Sequence, residues 1–246
     1  MKHAIVFGGS GGIGSAMIKT LLNRYEEIKL YLPTRNGFDA SMLSPSSSQE
    51  LIHLPWNSDD ETSLDAIATE LKDNSVTLDY SIAAIGALHS EDVKPEKKLG
   101  QLSSEQMQWY FHTNAILHAL IIKYISPHMN KALPSFMGHL TARVGSISDN
   151  KVGGWYSYRA AKAALNMIIK TAAIEMSRYN KQLTIVGIHP GTVDTNLSKP
   201  FQNYVPEHKL FTADYAANNI YDHIISKLST ENSGNVYAYD GEKVPE

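Results

Sequence analysis

The chain has 246 residues, 43% of them hydrophobic and 19% charged, which is the balance of a globular protein with a substantial core. Its formal net charge of -3 leaves no basic footprint for nucleic acid, and no apolar run is long enough to span a membrane. The chain has no cysteine, which excludes disulfides, cysteine-ligated metals and thiol nucleophiles and agrees with a cytoplasmic location.

The N-terminal segment predicts a dinucleotide site. Residues 3–7 are apolar and predict a buried parallel strand, residues 15–24 predict a helix, and a glycine-rich loop joins them. Glycines let such a loop turn tightly and approach a pyrophosphate at the positive end of the helix. A glycine-rich turn without a ligand is the alternative, but the position directly after the first strand favours the site. The predicted cofactor contacts in the loop are Gly8, Ser10, Gly11, Gly12, Ile13 and Gly14.

The end of the second strand indicates which dinucleotide binds. Residues 28–32 predict this strand, and Pro33 and Thr34 end it. In a nucleotide-binding βαβ unit an acid at this position would hydrogen-bond a free ribose 2′-hydroxyl. Here Arg35 follows, and no acid occurs before Asp39. Because an arginine suits a 2′-phosphate, the sequence predicts NADP(H) rather than NAD(H), with a solvated loop arginine as the alternative.

Strands and helices alternate through the rest of the chain. The predicted strands are residues 51–54, 78–85, part of 136–147, 183–188 and 235–239, and the predicted helices are residues 58–72, 103–126, 155–179 and 214–228. Residues 91–98 carry mixed charges and a proline, and they predict a solvated loop. The alternation predicts an α/β fold over residues 1–246, a single Rossmann-type doubly wound parallel sheet of about seven strands with helices on both faces.

Tyr158 and Lys162 are candidates for acid/base chemistry. They are four residues apart in the predicted helix 155–179, so they lie on one face. A phenol normally has a pKa near ~10, and a lysine ammonium one turn away favours the phenolate and lowers that pKa. The pair therefore predicts a tuned proton donor and acceptor. The alternative is an ordinary solvent-facing pair, since this spacing also occurs by chance.

Other polar residues fall where they could join this pair. Asn114 lies among apolar residues of a predicted helix, so its amide either holds adjacent backbone or serves the site. Ser146 and Ser148 follow the fifth strand, and residues 189–195 follow the sixth. The carboxyl ends of these strands meet at one edge of the sheet, which is where ligands bind in open α/β folds.

Taken together, these motifs resemble those of the classical short-chain dehydrogenase/reductase family over nearly the whole chain. The family's Thr-Gly-x-x-x-Gly-x-Gly motif is matched by residues 7–14, with Phe7 in place of the threonine. Its Tyr-x-x-x-Lys motif is matched by Tyr158 and Lys162. The pattern of residues 144–158 is most similar to the C-factor-like branch, which was named for an intercellular signalling protein.

The resemblance assigns roles to further residues. It implies that Tyr158 gives the proton to a developing alkoxide, that Lys162 lowers the tyrosine pKa and bonds the nicotinamide ribose, and that Ser146 holds the substrate oxygen. Asn114 would support a water-mediated proton route to Lys162. Ser148 competes with Ser146 for the serine role, because the interval from Ser146 to Tyr158 is slightly shorter than is usual in the family. The further cofactor contacts implied are Asn57, Gly86, Pro190, Gly191, Val193 and Thr195.

Two departures from the family pattern concern cofactor binding rather than catalysis. The family's Asn-Asn-Ala-Gly after the fourth strand is replaced by residues 83–86, which read Ala-Ala-Ile-Gly. The acid that contacts adenine after the third strand is replaced by Asn57.

The resemblance and the residues lead to one main functional hypothesis. We expect an NADP(H)-dependent oxidoreductase that interconverts a small-molecule carbonyl and an alcohol, without a metal. The alternative is a nucleotide-binding signalling or regulatory protein of the C-factor type with little catalysis. Residues 193–211 predict a substrate lid. Related enzymes pair the two long helices, so a homodimer or homotetramer is expected.

Overall fold

A computed structural model describes residues 1–37 and 43–246. Within them the strands are β1 (Lys2–Phe7), β2 (Ile28–Thr34), β3 (Gln49–Pro55), β4 (Tyr80–Ala83), β5 (Ser135–Leu140), β6 (Leu183–His189), β7 (Thr192–Val193), β8 (Leu210–Phe211) and β9 (Val236–Ala238). The α-helices are α1 (Gly12–Arg24), α2 (Thr62–Asp73), α3 (Ser104–Phe111), α4 (Leu117–Ile125), α5 (Tyr156–Met176) and α6 (Ala213–Ile220). None of the helices in this part of the chain is long and apolar enough to cross a membrane.

The main sheet has seven parallel strands in the order β3-β2-β1-β4-β5-β6-β9. Strand β1 pairs with β2 on one side and with β4 on the other, so the strand order reverses next to β1. In open α/β sheets this reversal opens a crevice at the carboxyl ends of the strands, where ligands bind. The topology confirms the predicted Rossmann-type sheet. Strands β7 and β8 form a separate small pair beyond the end of β6.

Helices cover both faces of the main sheet. Alternate residues of β1 point to opposite sides, with Ala4 and Val6 on one face and Ile5 and Phe7 on the other, and all four are fully buried. The first face packs against α1 and α6, and the second packs against α2, α4 and α5. Residues 4–7 are buried on both faces and are therefore all apolar, so β1 lacks the alternation of polar and apolar residues seen in half-exposed strands.

Several element ends differ from the sequence predictions. Strand β2 continues through Pro33 to Thr34, because the proline ring fits extended backbone and both residues stay in register with β3. Helix α2 begins at Thr62 rather than after Ser58 or Asp59. The carboxylate of Asp60 accepts hydrogen bonds from the amide and the hydroxyl of Thr62, at 3.0 and 2.7 Å, so an Asp60 turn precedes the helix.

The predicted long helix 103–126 is interrupted in its middle. Ser103 caps its start by accepting a hydrogen bond from the amide of Gln106 at 3.1 Å. A π-helical turn, His112–Ile116, then separates α3 from α4. Such turns insert one extra residue into an α-helix and are frequent at functional sites. Asn114 lies within this turn.

The prediction of a solvated loop at residues 91–98 was wrong in its centre. Pro95 and Glu96 are buried, and the Glu96 side chain is only 2% exposed. The charged neighbours Lys97 and Lys98 do face solvent, which is why the composition of the segment suggested a solvated loop.

Candidate active site

The glycine loop lies tightly between the ends of β1 and β4. Gly8 has a φ of +79°, and a Cβ atom on it would lie 2.5 Å from the carbonyl oxygen of Ala84. The amide of Gly11 donates to the carbonyl of Gly8 at 2.9 Å, and a Cβ on Gly14 would collide with that carbonyl. Helix α1 then starts without a side-chain cap and without an acid in its first turn. Its amide end is therefore suited to an anion.

A cavity of about 470 Å³ opens beside this loop, at the carboxyl ends of β1 to β4. Gly8, Ser10 and Gly11 of the loop line it, together with Gly86 after β4. Its other lining residues are Pro33, Thr34, Arg35, Asn36, Gly37, Trp56, Ser58, Ala84, Ile85, Thr113 and Leu117. Among the described residues that line the cavity there is no aspartate or glutamate, and Asp39 lies outside the described residues.

Arg35 is exposed at the rim of this cavity, immediately after β2. The Thr34 hydroxyl donates to the carbonyl of Gly37 at 2.8 Å and so shapes the turn that carries the arginine. Asn57 is not among the lining residues, and its side-chain oxygen accepts a hydrogen bond from the amide of Asp59 at 3.1 Å.

The segment after β6 lies against the start of α1. A Cβ atom on Gly12 would lie 2.7 Å from the Cγ2 atom of Thr195, so these two residues are in close contact. Pro190 and Gly191 are half-buried between β6 and β7, and Val193 pairs with Phe211 in the small sheet. The Pro-Gly segment and the glycine loop therefore meet at the same edge of the main sheet.

Asn114 holds the backbone that follows β4. Its Nδ2 atom donates to the carbonyl of Ala87 at 2.9 Å and to that of Tyr110 at 3.1 Å, and its Oδ1 atom accepts from the Ala87 amide at 3.1 Å. A Cβ atom on Gly86 would lie 3.0 Å from this Oδ1 atom and 3.3 Å from the Nζ atom of Lys162. Asn114 thus pins backbone and also lies at the point where Gly86 and Lys162 meet.

Tyr158 and Lys162 lie one turn apart on α5, and both side chains are buried. The Nζ atom of Lys162 donates to the carbonyl oxygen of Leu140 at 3.0 Å and lies 5.8 Å from the centre of the Tyr158 ring. Burial raises the pKa of Tyr158 and lowers the pKa of Lys162 to about 7. The net direction for the pKa of Tyr158 is therefore opposite to the predicted one, because desolvation penalises the charged form of both groups.

The two candidate serines have different environments. Ser146 is buried, and its Oγ atom accepts a hydrogen bond from the amide of Asp149 at 3.2 Å. The preceding Gly145 packs on α5 so closely that a Cβ atom on it would lie 2.8 Å from the backbone of Lys162. Ser148 is exposed, and its amide donates to the carbonyl of Glu246 at 3.0 Å. Of the two serines, Ser146 is therefore the one whose neighbouring residue packs directly against α5, the helix that carries Tyr158.

Residues 2–205, which include the glycine loop, Tyr158 and Lys162, match a family model described as short chain dehydrogenase. The chain belongs to the short-chain dehydrogenase family. It is an oxidoreductase of that type.

Two curated relatives connect this short-chain dehydrogenase to known proteins. It is 28% identical over 241 residues to the 1-hydroxy-2-glutathionyl-2-methyl-3-butene dehydrogenase of Rhodococcus sp. (strain AD45), a match that covers 98% of each chain. It is 29% identical over 147 residues to the C-signal of Myxococcus xanthus, which covers 60% of this chain and 82% of that protein. The second match confirms the predicted relationship to the C-factor-like branch.

Solved structures share the fold of this short-chain dehydrogenase at lower identity. The carbonyl reductase Sniffer of D. melanogaster superposes with a TM-score of 0.83 at 20% identity, and the match covers 100% of both chains. A short-chain dehydrogenase/reductase from Burkholderia multivorans, with bound NADP, superposes with a TM-score of 0.77 at 19% identity, covering 100% of this chain and 99% of that one. At these identities the likeness establishes the fold.

Aromatic side chains surround Tyr158 in this short-chain dehydrogenase. Its ring centre lies 6.2 Å from that of Trp155 and 6.0 Å from that of Tyr110, and Trp155 lies 5.2 Å from Phe201. We call Tyr110, Trp155 and Phe201 the aromatic wall. Phe201 belongs to residues 193–211, and this segment has a second contact nearby, since His89 Nε2 lies 3.0 Å from the carbonyl oxygen of Asn196.

Sequence reasoning missed two residues of this region. Tyr110 is fully buried and donates from its hydroxyl to the carbonyl of Leu88 at 2.7 Å. It lies one helical turn before Asn114, and this spacing was the signal that could have identified it. Glu96 was missed because a single acid between a proline and two lysines carries no periodic signal of burial.

Proposed function

We propose that this short-chain dehydrogenase is an NADP(H)-dependent oxidoreductase that interconverts a carbonyl and an alcohol, with Tyr158 as the general acid/base. One observation carries the proposal. Lys162, Asn114 and Gly86 converge at the carboxyl edge of the sheet, one helical turn from Tyr158 and directly beside the glycine-loop cavity. A protein that only bound a nucleotide would have no need of this buried set.

The residues around the cavity fit a dinucleotide. The glycine loop leaves room for a pyrophosphate beside the uncapped amide end of α1, which favours an anion. Arg35 at the rim, with no acid in the described lining, favours a 2′-phosphate and hence NADP(H). The solved protein from Burkholderia multivorans, which carries NADP, supports the same choice.

When bound, the nicotinamide supplies or accepts the hydride at the carbonyl carbon. The Tyr158 hydroxyl gives its proton to the carbonyl oxygen as that oxygen gains charge. Because burial raises the pKa of Tyr158, the phenol is protonated at neutral pH, which suits a proton donor in the direction of reduction. Ser146 would orient the same oxygen through its hydroxyl. Lys162 would then return a proton to the Tyr158 oxygen.

The surroundings of Tyr158 favour an apolar carbonyl substrate. Trp155 and Phe201 are half-buried and present aromatic surface near the Tyr158 ring, and large flat apolar groups pack well against such surface. Residues 193–211 would act as a lid that closes over this surface and excludes water. The likeness of fold to a carbonyl reductase agrees with a ketone or aldehyde as substrate.

A signalling protein that binds a nucleotide is the second candidate. The match to the C-signal of Myxococcus xanthus favours it, whereas the buried Tyr158, Lys162 and Asn114 favour catalysis.

The test is NADPH oxidation with a panel of aldehydes, aryl ketones and diketones. Tyr158→Phe should lower turnover by at least ~10²-fold and leave NADPH binding intact, because it removes the proton and keeps the ring. Tyr156→Phe is the matched control, since that tyrosine is two residues away and exposed. Full activity of Tyr158→Phe would overturn the mechanism. NADPH binding without oxidation, on every substrate, would favour the signalling candidate.

A further inference from the structure

Glu96 joins a loop to the start of the helix that carries Tyr158. Its side chain is 2% exposed. One carboxylate oxygen accepts a hydrogen bond from the Ser157 hydroxyl, and the other accepts from the Ser157 amide at 3.2 Å. The backbone carbonyl of Glu96 accepts from the Trp155 amide at 2.6 Å. Three hydrogen bonds therefore fix residues 155 and 157, which are neighbours of Tyr158.

Helix α5 needs this outside partner because its own start supplies none. The N-cap position is occupied by Trp155, whose side chain makes no capping hydrogen bond. The first amides of a helix have no partner within the helix and carry partial positive charge. Glu96 satisfies the amide of Ser157 from a position 61 residues earlier in the chain. A carboxylate is the side chain best suited to this end of a helix.

A second contact of Glu96, through its backbone carbonyl beside the buried side chain, holds Trp155 in an unusual backbone conformation. Trp155 has φ 51° and ψ 42°, a left-handed conformation that a bulky residue adopts only when its surroundings impose it. The hydrogen bond from its amide to the Glu96 backbone carbonyl is such a restraint, and the carboxylate bonds to Ser157 keep that carbonyl in place. In this conformation the indole lies between Tyr158 and Phe201 and forms the centre of the aromatic wall.

We infer that Glu96 is a positioning residue for the reaction proposed above. It fixes the first turn of α5, so it sets both the direction of the Tyr158 hydroxyl and the placement of the Trp155 indole against the substrate. Because its side chain is buried, it would act through α5 and not on the substrate directly. The inference rests on the proposed function for its kinetic consequence, while its structural consequence for Trp155 stands independently.

The kinetic test compares Glu96→Gln with Glu91→Gln. Glu91 lies in the same loop and is exposed, so its substitution removes the same charge without touching α5. Glutamine at residue 96 keeps the size of the side chain but replaces one acceptor oxygen by a donor. We expect kcat to fall roughly 10- to 100-fold, because misplacement of a reacting group by a fraction of an ångström has this effect, with the Kd for NADPH unchanged. Glu91→Gln should keep the kcat of the native enzyme.

A purely structural role predicts a different result. In that case Glu96→Gln would lower the melting temperature and leave the kcat of the folded enzyme unchanged, which would overturn the inference. Ser157→Ala should reproduce part of the loss, and the double variant Glu96→Gln/Ser157→Ala should lose less than the product of the two single effects, since both act through one contact. Fully multiplicative effects would contradict the coupling.

A spectroscopic readout separates this inference from the proposed function. The protein labelled with 5-fluorotryptophan has three tryptophans, of which Trp155 can be assigned with Trp155→Phe. In Glu96→Gln the Trp155 fluorine resonance should shift or broaden, while that of Trp56, which lines the cavity beside the glycine loop, should stay. An unmoved Trp155 resonance would overturn the positioning role. If the native protein reduces no carbonyl but this resonance still responds, the proposed function fails and the role of Glu96 stands.

Discussion

The Nζ atom of Lys162 donates a hydrogen bond to the carbonyl oxygen of Leu140 at 3.0 Å, from a side chain that is only 3% exposed. Burial lowers the pKa of this lysine from 10.5 to about 7 in the folded protein. Between about pH 7 and pH 10.5, Lys162 is protonated in the unfolded chain and neutral in the folded chain. The contribution of Lys162 to the free energy of unfolding therefore rises as the pH rises from about 7 to 10.5.

This sign can be measured with Lys162→Met, which removes the buried charge and keeps most of the volume. We expect the melting temperature of the variant to exceed that of the native protein most at or below pH 7. The difference should shrink as the pH rises towards 10, because the native lysine becomes neutral. Lys181→Met, at an exposed position, is the control and should show a constant difference. A constant difference for Lys162→Met would mean that the folded pKa is not lowered.

The burial of Ser146 and the exposure of Ser148 lead to opposite expectations for two similar variants. Ser146→Ala should lower kcat by roughly 10²-fold if its hydroxyl stabilises charge on the substrate oxygen. Ser148→Ala should leave kcat nearly unchanged. The measurement is the steady-state kcat of both variants on one substrate. A larger loss of kcat in Ser148→Ala than in Ser146→Ala would assign the role to Ser148.

Cofactor preference should depend on Arg35. A charge-assisted hydrogen bond to a 2′-phosphate contributes roughly 1.5–3 kcal/mol, which corresponds to about tenfold or more in affinity. Arg35→Asp should weaken NADPH binding by that factor and favour NADH, whose free 2′-hydroxyl can bond a carboxylate. Fluorescence titration of both cofactors is the measurement. Equal or tighter binding of NADH by the native protein would contradict the choice of NADP(H).

A buried histidine pair should make the protein sensitive to acid. The Nδ1 atoms of His118 and His139 lie 3.1 Å apart, and both side chains are fully buried. Burial lowers the pKa of His118 well below its usual range and that of His139 to about 3. Below about pH 6.5 these histidines bind protons in the unfolded chain but stay neutral in the folded chain. The free energy of unfolding should therefore decrease as the pH falls from 6.5 to about 3.

The variant His139→Gln tests this origin, because glutamine can bond His118 but does not titrate. Urea unfolding from pH 7 to 4.5 should show a shallower loss of stability than in the native protein. His208→Gln, which changes an exposed histidine, should show the native slope. Identical slopes in all three proteins would locate the acid sensitivity elsewhere.

Exposed apolar side chains on α5 agree with an assembly of at least two chains. Met167 is 66% exposed and Ile174 is 53% exposed, on a helix that otherwise packs against the sheet. We expect light scattering to give at least a dimer, and Met167→Glu/Ile174→Glu to shift it towards the 27.2 kDa monomer. Val152→Glu, at a loop residue that is 90% exposed, is the control. A native monomer at micromolar concentration would refute this expectation.

The sheet and its ligand edge could be predicted because their signals are local. An apolar run followed by glycines indicates a strand and a tight loop whatever the rest of the chain does, and the spacing of Tyr158 and Lys162 fixes their common helix face. The contacts of Glu96 could not be predicted, because its partner Ser157 is distant in sequence and the neighbouring lysines suggested solvent. The pKa of Tyr158 was mispredicted for a related reason. Spacing reports the distance to Lys162, whereas burial depends on all the elements around it.

The π turn His112–Ile116 also constrains how the enzyme could be altered. It amounts to one residue inserted into an otherwise continuous helix. If these residues took regular α geometry with no residue removed, α3 would rotate by about 100° around its axis relative to α4. Tyr110 would then swing away from Tyr158 and from the Leu88 carbonyl. An irregularity that looks like a defect in the helix thus accommodates one extra residue while both halves keep their orientation.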